Sequence, residues 1–278
     1  MKDPKKILVV GGGGREHTIV WKLRQSQRLR EVYCTPGNAG INQDAISFDA
    51  PFGDDFCELI RRAKNLGIDY TVVGPEAPLA AGIADAFEAE GLKVFGPCQA
   101  GAMLEASKAY AKDFMNAARI PTAASETFAE AAPAIRYAKS LGAPLIVKAD
   151  GLAAGKGVVV ARTMEVAIDA IRRNLEERQF GDSSARVVVE EFLVGEEASI
   201  LAFTDGNVIR PMASAQDHKA LKDNDLGPNT GGMGAYSPAP VVTDELMSEV
   251  NEVVFQPLQE ELQKRGILYR GVIYAGIM

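Results

Sequence analysis

The feature that most constrains this chain is the alternation, through its first hundred residues, of short β-branched runs with helical stretches of comparable spacing. Ile7–Val10 reads as a buried strand, followed by a glycine loop and a helix reaching about Leu29. Glu31–Cys34 and Ala45–Ser47 read as the next strands, and Asp54–Leu66 as a helix. Strand Asp69–Val73, helix Leu79–Glu90 and strand Lys93–Phe95 complete the series. Strands separated by helices cannot pair as hairpins, so this rhythm implies parallel βαβ units in a doubly wound sheet. After Ala106 the rhythm changes. Helix Lys108–Ala118 is closed by Pro121, and an alanine-rich helix spans Ala129–Ser140. Strands are expected at Leu145–Ala149, Val158–Ala161, Arg186–Glu191 and Ala198–Thr204, with a helix at Met164–Glu177 between the second and third. Asp205-Gly206-Asn207 reads as a hairpin turn into Val208–Met212. Glycine turns now join strands directly, which marks an α+β region. The expected division is 1–105, a doubly wound α/β domain, and 106–278, an α+β region whose central part covers about 122–190.

Composition limits the partners. A net charge of −7 with Lys and Arg scattered among acids offers no concentrated basic face for nucleic acid. No apolar run reaches the about 18 residues that a membrane span requires, and no secretory leader is read at the N-terminus. Three cysteines without metal-ligand spacing fit a reducing cytoplasm. Oligomeric state has no sequence signal.

Gly11-Gly12-Gly13-Gly14-Arg15-Glu16-His17 follows a strand and opens a helix. Glycines there let backbone N–H groups approach a phosphate at the positive end of the helix dipole. The dinucleotide fingerprint needs a small residue where Glu16 or His17 falls, and the ribose-binding acid expected about 20 residues later is absent. A tight turn is one reading. A site for a phosphorylated small molecule is the favoured functional one, with Gly13, Gly14, Arg15 and Glu16 against it. Two more strand ends carry similar loops, Pro36-Gly37-Asn38 after the second strand and Gly74-Pro75-Glu76 after the fourth. Ligands in parallel sheets gather beyond the carboxyl ends of the strands, so three such loops favour a pocket.

The strongest local signal is Leu145 to Val160, a strand, a Gly/Ala loop with a lysine, and a second strand. It departs from a P-loop because Lys156 is followed by Gly157 rather than Ser or Thr, and because a strand follows. Backbone amides of Gly155 and Gly157, with Lys156, suit a polyphosphate. Lys148 interrupts a buried type of strand, and lysine is rarely buried without a partner; its point charge suits an inner phosphate. Downstream, Glu190-Glu191-Phe192-Leu193 offers backbone hydrogen bonds and an apolar wall to adenine, and Glu196 suits ribose hydroxyls.

Ser107-Lys108, the loop Lys148–Gly157 and Glu190-Glu191-Phe192-Leu193 with Glu196 together resemble the ATP-grasp superfamily. Within it, Gly12-Gly13-Gly14-Arg15-Glu16-His17, Pro36-Gly37-Asn38-Ala39-Gly40 and Gly227–Pro238 are similar to the phosphoribosylamine–glycine ligase family, over Ile7 to Met278. The resemblance implies ATP held by Lys108 and Lys148, with Gly155-Lys156-Gly157 as a lid. It places adenine at Glu190, Glu191, Phe192 and Leu193, and ribose at Glu196. The N-terminal loops, Gly74 and Glu76 among them, would take phosphoribosylamine. The implied reaction activates the glycine carboxylate as an acyl phosphate, which the amine of phosphoribosylamine then attacks, in purine biosynthesis. That chemistry calls for Mg²⁺ or Mn²⁺ and cations around the phosphoryl group. Asp217, His218 and Lys219, with Asn229, Thr230, Gly231 and Gly232, are implied to line the substrate site at one end of the sheet. With Lys148, the first three form the expected catalytic set. A positioning role is preferred for His218 over a general-base role.

The sequence stops in Gly271-Val272-Ile273-Tyr274-Ala275-Gly276-Ile277-Met278, which reads as a core strand. The family's metal-binding acid–Phe–Asn strand is expected beyond it, so no metal ligand is assigned and turnover by the chain itself is in question. Two alternatives stand beside the ligase: a non-catalytic ATP- and phosphoribosyl-binding module, and a different ATP-grasp carboxylate–amine ligase. The Pro36–Gly40 and Gly227–Pro238 segments count against the latter.

Overall fold

Leu8, Val9 and Val10 are wholly buried, and alternation along the strand turns them to two different helical layers. They belong to β1 (Lys5–Gly11), the centre of a five-stranded sheet with β2 (Leu29–Pro36), β3 (Ile46–Ser47), β4 (Tyr70–Val73) and β5 (Val94–Phe95). The order is β3-β2-β1-β4-β5 and every pair is parallel, as the alternation of elements requires. Leu8 and Val10 pack with Leu59, Ile83 and Phe87. Val9 packs with Val20, Val32, Cys34 and Ile41 on the other side. The computed structural model that shows this describes residues 5–50, 55–153, 157–223 and 226–278, and for residues 228 and 229 the backbone only. The chain divides into two units, one running to Ala102 and including Ile267–Gly271, the other Met103–Gly266 with Val272–Met278.

In the first unit the helices are α1 (Gly14–Arg24), α2 (Ile41–Asp44), α3 (Cys57–Leu66), α4 (Glu76–Ala80) and α5 (Ile83–Ala89). Two expectations need correction. The first helix ends at Arg24, and Leu29 opens β2, because β1 starts its pairing there (Lys5 opposite Leu29). The helix expected at Leu79–Glu90 is two helices, broken where Gly82 takes a left-handed conformation (φ 89°).

At the junction lies α6 (Gln99–Ala106). The second unit then opens its functional part with α7 (Lys108–Ala118), whose N-cap Ser107 accepts a hydrogen bond from the Tyr110 N–H. An antiparallel sheet follows, built from β6 (Ser125–Phe128), β7 (Leu145–Ala149), β8 (Val158–Ala161) and β9 (Val187–Glu191) in the order β6-β9-β7-β8. Helices α8 (Ala131–Leu141) and α9 (Met164–Leu175) cover one face. Their Ala134, Ala138, Ala167 and Ile171 meet Leu145, Val147, Val187 and Val189. Because side chains alternate across a strand, Ile146, Lys148, Val188 and Glu190 lie on the opposite face.

Beyond it come β10 (Ala198–Thr204) and β11 (Ile209–Pro211), turned through Asp205, whose carboxylate accepts from the N–H groups of Asn207 and Val208 (both 2.9 Å). Strands β12 (Gln216–Lys222) and β13 (Leu226–Tyr236) pair with each other as an antiparallel ribbon. Helices α10 (Asp244–Val250) and α11 (Gln256–Lys264) are joined by a π-helical turn at Asn251–Phe255, and β14 (Gly271–Ile277) joins β10 in the order β11-β10-β14. The segments holding Asp217–Lys219 and Asn229–Gly232 therefore form their own two-stranded ribbon and not one end of a larger sheet, which corrects the expectation. Gly227, Gly231, Gly232 and Gly234 do not mark a loop here, because an extended ribbon tolerates them when the partner strand supplies the pairing.

Candidate functional site

In the first unit the three glycine-containing loops meet at the carboxyl edge of the sheet. The chain runs from β1 outward to β2 and β3, then returns to β4 on the other side, so β1 and β4 flank a topological switch point. The Gly37 N–H donates to the Gly11 carbonyl (3.2 Å), Asn38 Nδ2 donates to the Gly12 carbonyl (2.8 Å), and the Gly74 N–H to Val10 (2.9 Å). Arg15 and Glu76 pair across the gap (Nη2 to Oε1, 3.1 Å). The side chain of Glu16 is buried at the start of α1, where its Oε2 accepts from the Gly13 N–H (2.6 Å). A Cβ on Gly74 would sit 2.3 Å from Glu16 Oε1, so glycine there leaves room for that carboxylate. His17 bonds Asp44 (3.1 Å), and Arg24 shares the same acid. Burial, with the charge of Glu16 nearby, pushes the Cys34 thiol up to about 11. The first-unit residues singled out, Gly13, Gly14, Arg15, Glu16, Pro36, Gly37, Asn38, Gly74 and Glu76, lie on these loops or at the strand and helix ends that border them.

In the second unit the open face of the four-stranded sheet gathers charge. Lys148 is ion-paired with Glu190. The other oxygen of Glu190 lies 2.8 Å from Lys112 Nζ, and both of these side chains are at most 10% exposed. Lys112 also donates to Thr122 Oγ1 (2.9 Å) and to the Ala123 carbonyl (3.0 Å). Lys108 donates to the Gly151 carbonyl (2.8 Å). Burial holds its ammonium below the usual lysine range and Lys148 adds to this, while Glu105 and Asp150 oppose. Lys108 and Lys148 therefore sense each other's charge. The Glu190 side chain is turned inward to two lysines. Its neighbour Glu191 is exposed and accepts from the Ala124 N–H (2.8 Å). Phe192 and Leu193 follow β9 directly, with Leu193 exposed. Gly157 pairs with Ala149 across the start of the β7–β8 hairpin (2.7 Å), whereas Gly155 and Lys156 lie outside the described residues.

On the ribbon, Lys219 bonds Glu197 (2.7 Å) and lies 3.6 Å from Asp217. Burial pulls its ammonium down, but Glu197, Tyr274 and Asp217 outweigh this and raise it above the ordinary lysine value. Glu196 accepts from Gln216 Nε2 (3.2 Å), and the Tyr236 hydroxyl donates to Gln216. His218 stacks at a tilt on Tyr236 (centroids 5.6 Å apart). Thr230 Oγ1 donates to the Lys219 carbonyl (2.9 Å) and accepts from the Gly232 N–H (3.1 Å), with Gly231 between. For Asn229 only the backbone is described, opposite Ala220. Among the described residues no group of three or more His, Cys, Asp or Glu side chains is placed to hold a metal ion.

Sequence reasoning passed over Lys112, Asp150 and Arg186. Asp150 accepts from Ser107 Oγ (2.9 Å), the Ala109 N–H (3.1 Å) and Arg186 Nε (2.9 Å) and Nη2 (2.6 Å), tying the start of α7 to the end of β7. The signal available was spacing: Lys112 stands one helical turn after Lys108, on the same side of α7.

The chain was compared with known families, curated proteins and solved structures. The family model for the N domain of phosphoribosylglycinamide synthetase matches residues 5–105, and that for its ATP-grasp (A) domain matches residues 106–278. A phosphoribosylamine–glycine ligase from Ralstonia nicotianae is 53% identical over 273 residues, covering 98% of this chain and 64% of that protein. The Escherichia coli K12 protein of the same name is 49% identical with the same coverage. The chain thus spans under two thirds of the length of these relatives. Among solved structures, the phosphoribosylamine–glycine ligase of Thermotoga maritima superposes with a TM-score of 0.81 at 32% identity, over 98% of this chain and 65% of that one. The biotin carboxylase domain of Hydrogenobacter thermophilus 2-oxoglutarate carboxylase, solved with ADP, magnesium and bicarbonate, reaches 0.75 at 17% identity, over 99% and 61%. At that identity it shows the fold alone. Two consecutive family matches that together span residues 5–278, on a parallel sheet followed by an ATP-grasp sheet, lead to one conclusion: the chain belongs to the phosphoribosylglycinamide synthetase family.

Proposed function

We propose that this chain binds ATP and phosphoribosylamine and takes part in joining glycine to 5-phosphoribosylamine, giving glycinamide ribonucleotide, ADP and phosphate. The observation that carries the reading is the open face of the four-stranded sheet, where Lys148 and Lys108 converge beside a strand end rich in backbone donors and acceptors. Cations there offset phosphate charge. The names of the relatives supply the substrates.

In this reading a carboxylate oxygen of glycine attacks the γ-phosphorus, the bond to the β-phosphate oxygen breaks and ADP leaves. The amine nitrogen of phosphoribosylamine then attacks the acyl carbon of glycyl phosphate, inorganic phosphate leaves, and the new amide nitrogen gives up a proton. Lys148 and Lys108 hold phosphates, and Gly155, Lys156 and Gly157 cover them and keep water from the acyl phosphate. Glu191, Phe192 and Leu193 receive adenine, with Glu190 behind Lys148, and Glu196 holds the ribose. The loops bearing Gly13, Arg15, Asn38 and Glu76 take the phosphoribosyl group. Asp217 and Lys219 orient glycine with Thr230, Gly231 and Gly232, and His218 is a positioning group against Tyr236. Three free cysteines fit a cytoplasmic setting.

The test is ADP release by this chain in the presence of ATP, glycine and freshly formed phosphoribosylamine, with glycinamide ribonucleotide identified by mass spectrometry. Release that needs both other substrates supports ligation. A second reading, a binding module without turnover, needs only the face bearing Lys148 and Lys108 and none of the later steps. ATP bound with no ADP released would select it and end the ligase reading for this polypeptide.

A further inference from the structure

Three charged side chains joined by two ion pairs, Lys112, Glu190 and Lys148, hold a problem and its solution. A carboxylate beside the lysine that is to meet a phosphate should cancel that lysine's charge. Glu190 is buried, and one of its oxygens pairs with Lys148. Its other oxygen is 2.8 Å from Lys112, whose side chain is 10% exposed and further tied to Thr122 and Ala123. With both lysines present the trio carries one net positive formal charge, and the lysine on the solvent side, Lys148 at 28% exposure, is the one able to present it.

We infer that Lys112 is a positioning residue for nucleotide binding. It neutralises and anchors Glu190, so that Glu190 can orient Lys148 without consuming its charge. Lys112 touches no ligand in this arrangement; it acts through Glu190 on Lys148. The inference rests on the ATP-binding reading above and adds a residue and a charge balance to it. Without Lys112, the pair Glu190–Lys148 is closed and electrically neutral, and a triphosphate meets no net charge there. Without both Lys112 and Glu190, Lys148 again presents one positive charge. The effect of the second substitution on ATP affinity is therefore opposite in sign to that of the first; a purely structural role would move the unfolding free energy in step with the affinity, which a denaturant titration of each variant reads.

The experiment is ATP titration calorimetry on the whole chain, its Lys112→Met variant and the double variant Lys112→Met with Glu190→Gln, each first checked for a cooperative melt. Lys112→Met should weaken ATP binding about tenfold or more, the equivalent of losing one charge-assisted contact. The double variant should recover most of that loss. ATP bound equally well by Lys112→Met overturns the inference and leaves the ATP reading standing. A double variant no tighter than Lys112→Met overturns it as well. No ATP bound by the unsubstituted chain removes both readings together. Should Lys112→Met fail to melt cooperatively, the comparison passes to Lys112→Gln with and without Glu190→Gln, and the same ordering of affinities decides.

Discussion

The first unit makes its candidate site from backbone, the second from side-chain charge. At the edge of the parallel sheet, the groups that face the loops are N–H and C=O, and the nearby ionisable groups are paired among themselves or with backbone: Glu16 Oε2 with the Gly13 amide, Arg15 with Glu76, His17 with Asp44, while Glu16 Oε1 is buried without a hydrogen-bond partner. On the antiparallel sheet the lysines are in excess over their acid. The difference teaches how each fails. A backbone site is damaged by adding atoms, because loops in contact have no slack. A charged site is damaged by removing one, because its remaining partners are left buried and unpaired.

The largest expected effect follows from the second half of that statement. Glu190→Ala leaves Lys112 and Lys148 facing each other, and should lower the unfolding free energy by about 3–5 kcal/mol in a denaturant titration. A loss under about 1 kcal/mol would mean the trio behaves as a surface pair, and the contrast between the units would collapse. Next comes the addition of a single methyl. Gly74→Ala puts a carbon within 2.3 Å of Glu16 Oε1 and should cost about 1–3 kcal/mol. Gly14→Ala, with no atom within 4 Å of the new carbon, should change stability by less than about 0.5 kcal/mol. Equal effects at the two glycines would show that the loops are not in close contact.

The smallest effect is a pH trend at Lys108. Burial holds its folded pKa below the ordinary lysine value of 10.5. A lysine depressed in the folded state binds fewer protons there than in the unfolded chain, so its penalty is full below the folded pKa and fades as pH rises toward 10.5. Thermal melts of the chain and of Lys108→Met should therefore shift in favour of the unsubstituted chain as pH rises toward 10.5. A difference independent of pH would place Lys108 in solvent.

How much of this was written plainly in the residues varies with how local the cause is. Strands β7, β8 and β10 lie where their β-branched runs end, since turn residues bound them on both sides. The parallel sheet and its loops were equally readable, because the pattern of strand, glycine loop and helix repeats. The short helix Ile41–Asp44 was not, having one turn and no apolar period of its own. Strand β6, Ser125-Glu126-Thr127-Phe128, has weak alternation and is held as a strand by pairing with β9. The ribbon of β12 and β13 hid behind its glycines. Of the charged residues, Lys148 was legible as a lysine in an apolar strand, whereas Lys112 and Asp150 looked like ordinary polar positions. Their importance comes from partners 78, 43 and 36 positions away (190 − 112 for Lys112; Ser107 and Arg186 for Asp150), and no local pattern carries that.

Asp150 has one more consequence, and it concerns the time course of folding. Its carboxylate joins Ser107 and Ala109 to Arg186, so one acceptor closes two long stretches of chain, 43 and 36 residues in span. Closing such spans costs chain entropy that grows only slowly with length, yet contacts this remote in sequence slow the search for the native arrangement. The second unit should accordingly assemble its hairpins and helices early. The ties at Asp150 should form after those local elements, so the seat of Lys108 is complete only once both spans have closed.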